Sequence, residues 1–160
     1  MAGLRVILSP RCYKKAVILP PDFTPFLNDS KQLTARRRVA LRAAICAEAV
    51  AWAVGEASVA EIEAINIAQA SYLAMHRAVT ALAVLAAHLL VDGNRFRPYP
   101  GLPHACAVGG DGRYRHIAAA SILAKTFRDE HMARLADEFP AYGWAQNAGY
   151  PHHRMSFRLL

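Results

Sequence analysis

The stretch from residue 89 to residue 129 constrains this chain more than any other. It reads LLVDGN, a basic loop broken by prolines, CAVGGD and then RYRHIAAASILAKTFRD. Leu89, Leu90 and Val91 form a short apolar run that stops at Asp92, and Gly93 and Asn94 turn the chain away. A buried strand that delivers one carboxylate at its C-terminal end has this pattern. Residues 105–108 make a second apolar run, which ends at Gly109, Gly110 and Asp111. Two strand ends therefore each present an aspartate beside glycines, where backbone or a ligand can come close. A helix is predicted from about residue 117 to about residue 138, and its first turns are nearly all small: Ala118, Ala119, Ala120, Ser121 and Ala124. So thin a helix packs tightly on a sheet and leaves Ser121 and Lys125, four apart, on one face. Acids on strand ends with Ser and Lys on an adjoining helix point to a divalent-metal site that meets a phosphodiester. Each piece alone reads as a strand, a turn and an Ala-rich helix.

The rest of the chain supports an α/β domain. Residues 16–19 are a strand candidate ended by Pro20-Pro21, residues 25–33 a loop, and Thr34 caps a helix over residues 35–49. Arg36, Arg37, Arg38 and Arg42 crowd that helix, where cations oppose the dipole of its first turn; a solvated face explains them better than a phosphate-facing patch. Residues 50–54 read as a strand closed by Gly55. Ser58 and Glu61 have capping-box spacing for a short helix to about residue 64. A longer helix follows from Asn66 to about residue 83, with Ile67, Ala70, Ala74, Ala78 and Leu82 near one stripe. The alternation of strands and helices is that of an α/β fold.

Composition narrows the function. Lys and Arg number 19 against 12 Asp and Glu, a formal charge of +7, which favours a polyanionic partner. The three cysteines, Cys12, Cys46 and Cys106, are scattered without a CxxC pair, as expected in a reducing cytoplasm and not at a zinc site. No run approaches the ~20 apolar residues that a membrane helix needs. No His pair sits at metal-ligand spacing, Ser121 lacks a His–Asp arrangement, and Gly109-Gly110 is not followed by the Lys-Ser or Lys-Thr of a P-loop.

Taken in order, several motifs resemble those of bacterial ribonuclease HII. They are Asn28-Asp29-Ser30-Lys31-Gln32-Leu33, Asn66-Ile67 with Ala70, Val91-Asp92-Gly93-Asn94-Arg95 and Gly110-Asp111, then residues 117–125, Arg128-Asp129, Tyr142-Gly143 and Gly149-Tyr150. The resemblance covers residues 16–151 of what reads as one domain over 1–160. It implies a ribonuclease H-like mixed sheet flanked by helices, incomplete at both ends. It also implies a cytoplasmic, monomeric endonuclease that cuts RNA paired with DNA or ribonucleotides embedded in DNA, using Mg²⁺ or Mn²⁺. On that resemblance Asp92 and Asp111 are two of four metal-binding carboxylates. Ser121 and Lys125 contact phosphate, Ser30 and Lys31 lie beside the substrate, and Tyr150 senses the 2′-hydroxyl that separates RNA from DNA.

The resemblance fails at the termini. The family's first strand ends in Asp-Glu-Ala-Gly-Arg-Gly, yet no acidic residue precedes Asp22 here. Residues 1–15 and 152–160 depart from the family pattern, and Gly109 stands where a lysine is usual. The expectation is an impaired endonuclease. The alternatives are a non-catalytic binder of RNA–DNA hybrids and a basic α/β module that binds protein.

Overall fold

The computed structural model describes residues 11–27 and 32–147. Its elements are β1 (Arg11–Ile18), α1 (Ala35–Glu48), β2 (Ala51–Ser58), α2 (Val59–Thr80), β3 (Leu89–Asp92), β4 (His104–Ala107), α3 (Arg115–Glu138) and α4 (Trp144–Asn147), with single 3-10 turns at Gly110–Gly112 and Pro140–Tyr142. The order is that of an α/β chain. Among the described residues the strands pair as two ladders, β1 with β2 antiparallel and β3 with β4 parallel. Residues 11–126 form one compact unit, and the described residues 127–147 belong to a second. No helix of the described residues is long and apolar enough to cross a membrane.

β1 is twice the length that its apolar run predicts. Arg11 to Lys15 join it because each residue has a partner on β2, from Arg11 opposite Ser58 to Ile18 opposite Ala51. β2 in turn runs through Gly55, where the sequence predicts its end. Gly55 lies opposite Lys14, and a Cβ there would collide with the Ala74 carbonyl oxygen and the Ala78 nitrogen of α2. Glycine at this position is therefore a packing residue: it lets the helix backbone approach the strand. Ala70, Ala74 and Ala78 supply the matching thin face of α2 and are buried, whereas Ile67, one turn earlier, is 59% exposed. The packed stripe thus begins at Ala70.

Local signals set the helix ends. Thr34 Oγ1 accepts from the Arg37 N–H at 3.3 Å and starts α1. The Ser58 N–H donates to Glu61 Oε2 at 2.8 Å, and the Glu61 N–H donates back to Ser58 Oγ at 3.3 Å, completing the capping box. α2 is two helical segments broken at Asn66 (φ 66°, ψ 165°), as the sequence predicts. Asn66 Oδ1 accepts from the N–H groups of Ala68 and Gln69 at 3.0 and 3.1 Å, so its side chain restarts the helix after the break.

In the first unit Phe23, Ile45, Ile122 and Leu123 are the largest fully buried side chains. The second unit has its own cluster of Met132, Ala136 and Trp144, with Leu135 packed against it.

Candidate active site

β3 carries Asp92 at its C-terminal end, and the parallel register sets Asp92 opposite Ala107, the last residue of β4. Two neighbours extend this ladder: the Leu89 N–H donates to the Pro103 carbonyl at 2.9 Å, and the Gly93 N–H to the Ala107 carbonyl at 3.0 Å. Beyond Ala107 the backbone turns sharply through Gly109, at φ 64°, into the 3-10 turn that holds Asp111. The Gly110 N–H then donates to Asp92 Oδ1 at 3.0 Å. One hydrogen bond therefore ties the first acid to the residue next to the second.

Gly110 is buried, and a Cβ on it would lie 2.5 Å from Ile117 Cδ1 and 3.5 Å from Asp92 Oδ1. A side chain there would have to displace the end of Ile117 on α3. Asp92 is exposed and Asp111 half-buried, so both acids remain accessible to a cation.

The loop after Asp92 crosses from β3 to β4 in residues 93–103 and is held by ring packing. Phe96 meets His76 at 5.4 Å and His104 at 5.2 Å between ring centroids, and His76 Nε2 donates to the Arg97 carbonyl at 2.8 Å. His104 is half-buried in this cluster. Sequence periodicity does not reveal the cluster, because its members lie on three separate segments.

Ser121 and Lys125 stand one turn apart on α3 and are both half-buried. Ser121 shares with Asp92 the lining of a cavity of about 660 Å³. Lys125 does not line it. Lys14 and Lys15 of β1, which sequence reading did not single out, do line it. Burial, and then Arg42, push the Lys15 ammonium down to about 8. Ser30, Lys31 and Tyr150, together with residues 1–10 and the tail 152–160, lie outside the described residues.

Among the described residues no group of three or more His, Cys, Asp or Glu side chains is placed to hold a metal. Asp92 and Asp111 provide hard oxygen donors, which suit a cation such as Mg²⁺ that keeps several waters and takes one or two carboxylates. Two carboxylates are as many as one such ion commonly takes, so a second ion would need acids from elsewhere.

Comparison with known proteins bears on what this arrangement belongs to. A family model described as Ribonuclease HII matches residues 22–160. Ribonuclease HII of Bacteroides thetaiotaomicron is 54% identical over 172 positions, covering 98% of this chain and 86% of the relative. Ribonuclease HII of Parabacteroides distasonis is 56% identical with the same coverage. Both alignments are twelve positions longer than the chain's 160 residues, so parts of each relative within the matched span have no counterpart here. The crystal structure of ribonuclease H2 from Pyrococcus horikoshii superimposes with a TM-score of 0.69 at 20% identity, over 90% of this chain and 82% of that one. The family model matches most of the chain, relatives more than half identical cover nearly all of it, and the chain belongs to the ribonuclease HII family.

Proposed function

We propose that this protein is an endoribonuclease of the ribonuclease HII type, one domain over residues 1–160, which hydrolyses the phosphodiester at ribonucleotides in RNA–DNA hybrids or in duplex DNA. The observation that carries this reading is the Asp92 carboxylate held by the Gly110 N–H beside Asp111, in a chain of that family. Asp92 and Asp111 hold the metal, Ser121 and Lys125 hold phosphate together with Ser30 and Lys31, and Tyr150 reads the 2′-hydroxyl. When bound, two divalent ions, Mg²⁺ or Mn²⁺, supply an activated water and stabilise the leaving 3′ oxygen. The chain's own part is to orient the scissile phosphate and to direct both carboxylates at it. It acts as a monomer in the cytoplasm, where Cys12, Cys46 and Cys106 stay thiols.

Turnover is expected to be low. Two ions bring four positive charges, and Asp92 and Asp111 return two negative ones. Residues 1–21 contain no Asp or Glu. With only these two acids a second ion would be held weakly, and the water activation and leaving-group stabilisation it would supply would be incomplete.

The test is hydrolysis of a labelled hybrid and of a duplex with one ribonucleotide, in Mn²⁺ and in Mg²⁺. The chain as it stands should show little cleavage. Replacing residues 1–6 by a segment ending in Asp-Glu-Ala-Gly-Arg-Gly should restore metal-dependent cleavage, and Asp92→Asn should abolish what was restored. Robust cleavage by the unaltered chain that survives Asp92→Asn would overturn the site assignment. No cleavage by either form, with retained hybrid binding, would favour the second reading, a non-catalytic hybrid binder, which the two-acid site also fits. Equal binding of hybrid, DNA and RNA duplexes by Tyr150→Ala and the parent would remove Tyr150 from its role.

A further inference from the structure

One side chain of α2 is gripped by three residues of the loop that leaves Asp92. The His76 ring lies 5.4 Å from the Phe96 ring and 5.2 Å from the Tyr99 ring between centroids. Its Nε2 donates to the Arg97 carbonyl at 2.8 Å. Tyr72, one turn before His76, meets Phe96 edge-on at 6.2 Å, and Thr80 Oγ1, one turn after it, is 3.0 Å from the Tyr99 hydroxyl. Tyr72, His76 and Thr80 are spaced by four, so a single stripe of α2 holds the loop. All of these contacts lie within the first unit. Pro98, Pro100 and Pro103 restrict the loop backbone further. Residues 93–103 contain no acid, and their charged side chains are Arg95 and Arg97, both exposed. Phe96 between them is half-buried. Arg95 follows Asp92 by three residues, which keeps the two Cα atoms within about 11 Å.

We propose that His76 is a positioning residue: by holding the Arg97 carbonyl it fixes this loop so that Arg95 and Arg97 meet phosphates next to the one at Asp92. The inference rests on the reading of the site as one for RNA–DNA hybrids. A guanidinium fork matches the oxygens of a phosphate. A loop already set in place spares the ordering cost that a free one would add to binding. His76 touches no substrate in this arrangement and acts through the loop alone. Its ring packing and its hydrogen bond are separable, because a phenyl ring keeps the first and a side-chain amide keeps the second.

The test measures loop order and hybrid binding in the full chain. Amide order parameters at Arg95, Phe96, Arg97 and Tyr99 should lie near the ~0.85 of rigid backbone and fall below about 0.6 in His76→Phe. His76→Gln, whose amide nitrogen stands as many bonds from Cα as Nε2, should restore them. If the freed loop is in position about a tenth of the time, His76→Phe should bind a labelled hybrid about tenfold more weakly, and His76→Gln should recover most of that loss. Alanine at both Arg95 and Arg97 should weaken binding by the parent and reduce the slope of log affinity against log salt by about 2. In the His76→Phe background the same pair should cost much less. Strictly additive losses would make the cluster merely structural and overturn the positioning role. Unchanged loop order in His76→Phe would overturn it too, as would unchanged affinity with a loosened loop. Phe96→Ala releases the loop from its other side and gives the same readouts should His76→Phe not fold. A parent chain that binds no hybrid would overturn the reading of the site together with this one. A parent that binds, with His76→Phe binding equally, would overturn this one alone.

Discussion

Gly110 is where one atom decides the geometry of the candidate site. Its N–H holds Asp92, and the space where a side chain would begin is taken by Ile117 Cδ1, with Ala107 Cβ at 3.4 Å on another side. The obstructing atom is the end of a side chain, but Ile117 is buried and cannot swing away freely. Gly110→Ala should therefore destabilise the protein by about 1–3 kcal/mol in denaturant unfolding, the usual cost of overpacking. Ile117→Val removes the atom that clashes, so the double substitution should recover most of that loss. A strictly additive pair would show that the clash is not what glycine avoids here. The same logic explains why two adjacent glycines precede Asp111: Gly109 supplies the left-handed turn at φ 64°, and Gly110 supplies the space.

At the scale of elements, α2 packs backbone to backbone on β2 at Gly55. A Cβ at Gly55 would meet backbone atoms of α2, which cannot rotate away as a side chain can. Gly55→Ala should cost at least about 3 kcal/mol or prevent folding, at the upper end of core overpacking. Thermal unfolding beside Gly110→Ala would show which glycine matters more. The start of α2 carries a pH signature as well. Hydrogen bonds from Arg77, and then from the Ser58 N–H, hold the Glu61 carboxyl at about 2, below its ordinary value of 4.5. A depressed carboxylate adds stability that is complete above its unfolded value and is lost as pH falls through the folded one. The wild type should thus lose its advantage over Glu61→Gln between pH 4.5 and about 2. A constant difference in melting temperature across that window would remove Glu61 from this role. Arg77 also donates to the Glu56 carbonyl at 2.8 Å, so the pair links the start of α2 to the end of β2.

For the molecule as a whole, net charge sets the expected mode of association. At +7 the chain should bind any duplex through counterion release, with an affinity that falls steeply with salt. If Lys125 contacts a phosphate, Lys125→Ala should weaken hybrid, DNA and RNA duplexes alike and reduce the slope of log affinity against log salt by about 1. A loss confined to the hybrid would instead assign Lys125 to reading the sugar. Filter binding across a salt series measures both quantities.

Sequence alone determined what depends on near neighbours. The Thr34 cap, the Ser58–Glu61 box, the break at Asn66, and the strand that ends on Asp92 were all legible. Each rests on sterics and hydrogen bonds within a few residues of chain. The motif order likewise points to the ribonuclease HII family, to which the chain belongs. Tertiary structure decided the rest. Arg11 to Lys15 carry no strand signal of their own and extend β1 only because β2 pairs with them. Gly55 reads as a stop, but α2 approaches it so closely that it becomes the middle of a strand. The tie from Gly110 to Asp92 spans 18 positions, and the cavity beside Asp92 is lined by residues of β1 and β3, which lie some seventy residues apart in the chain. Pairing, close approach and the cavities they leave depend on residues that meet only after folding, and no local pattern encodes which ones will meet.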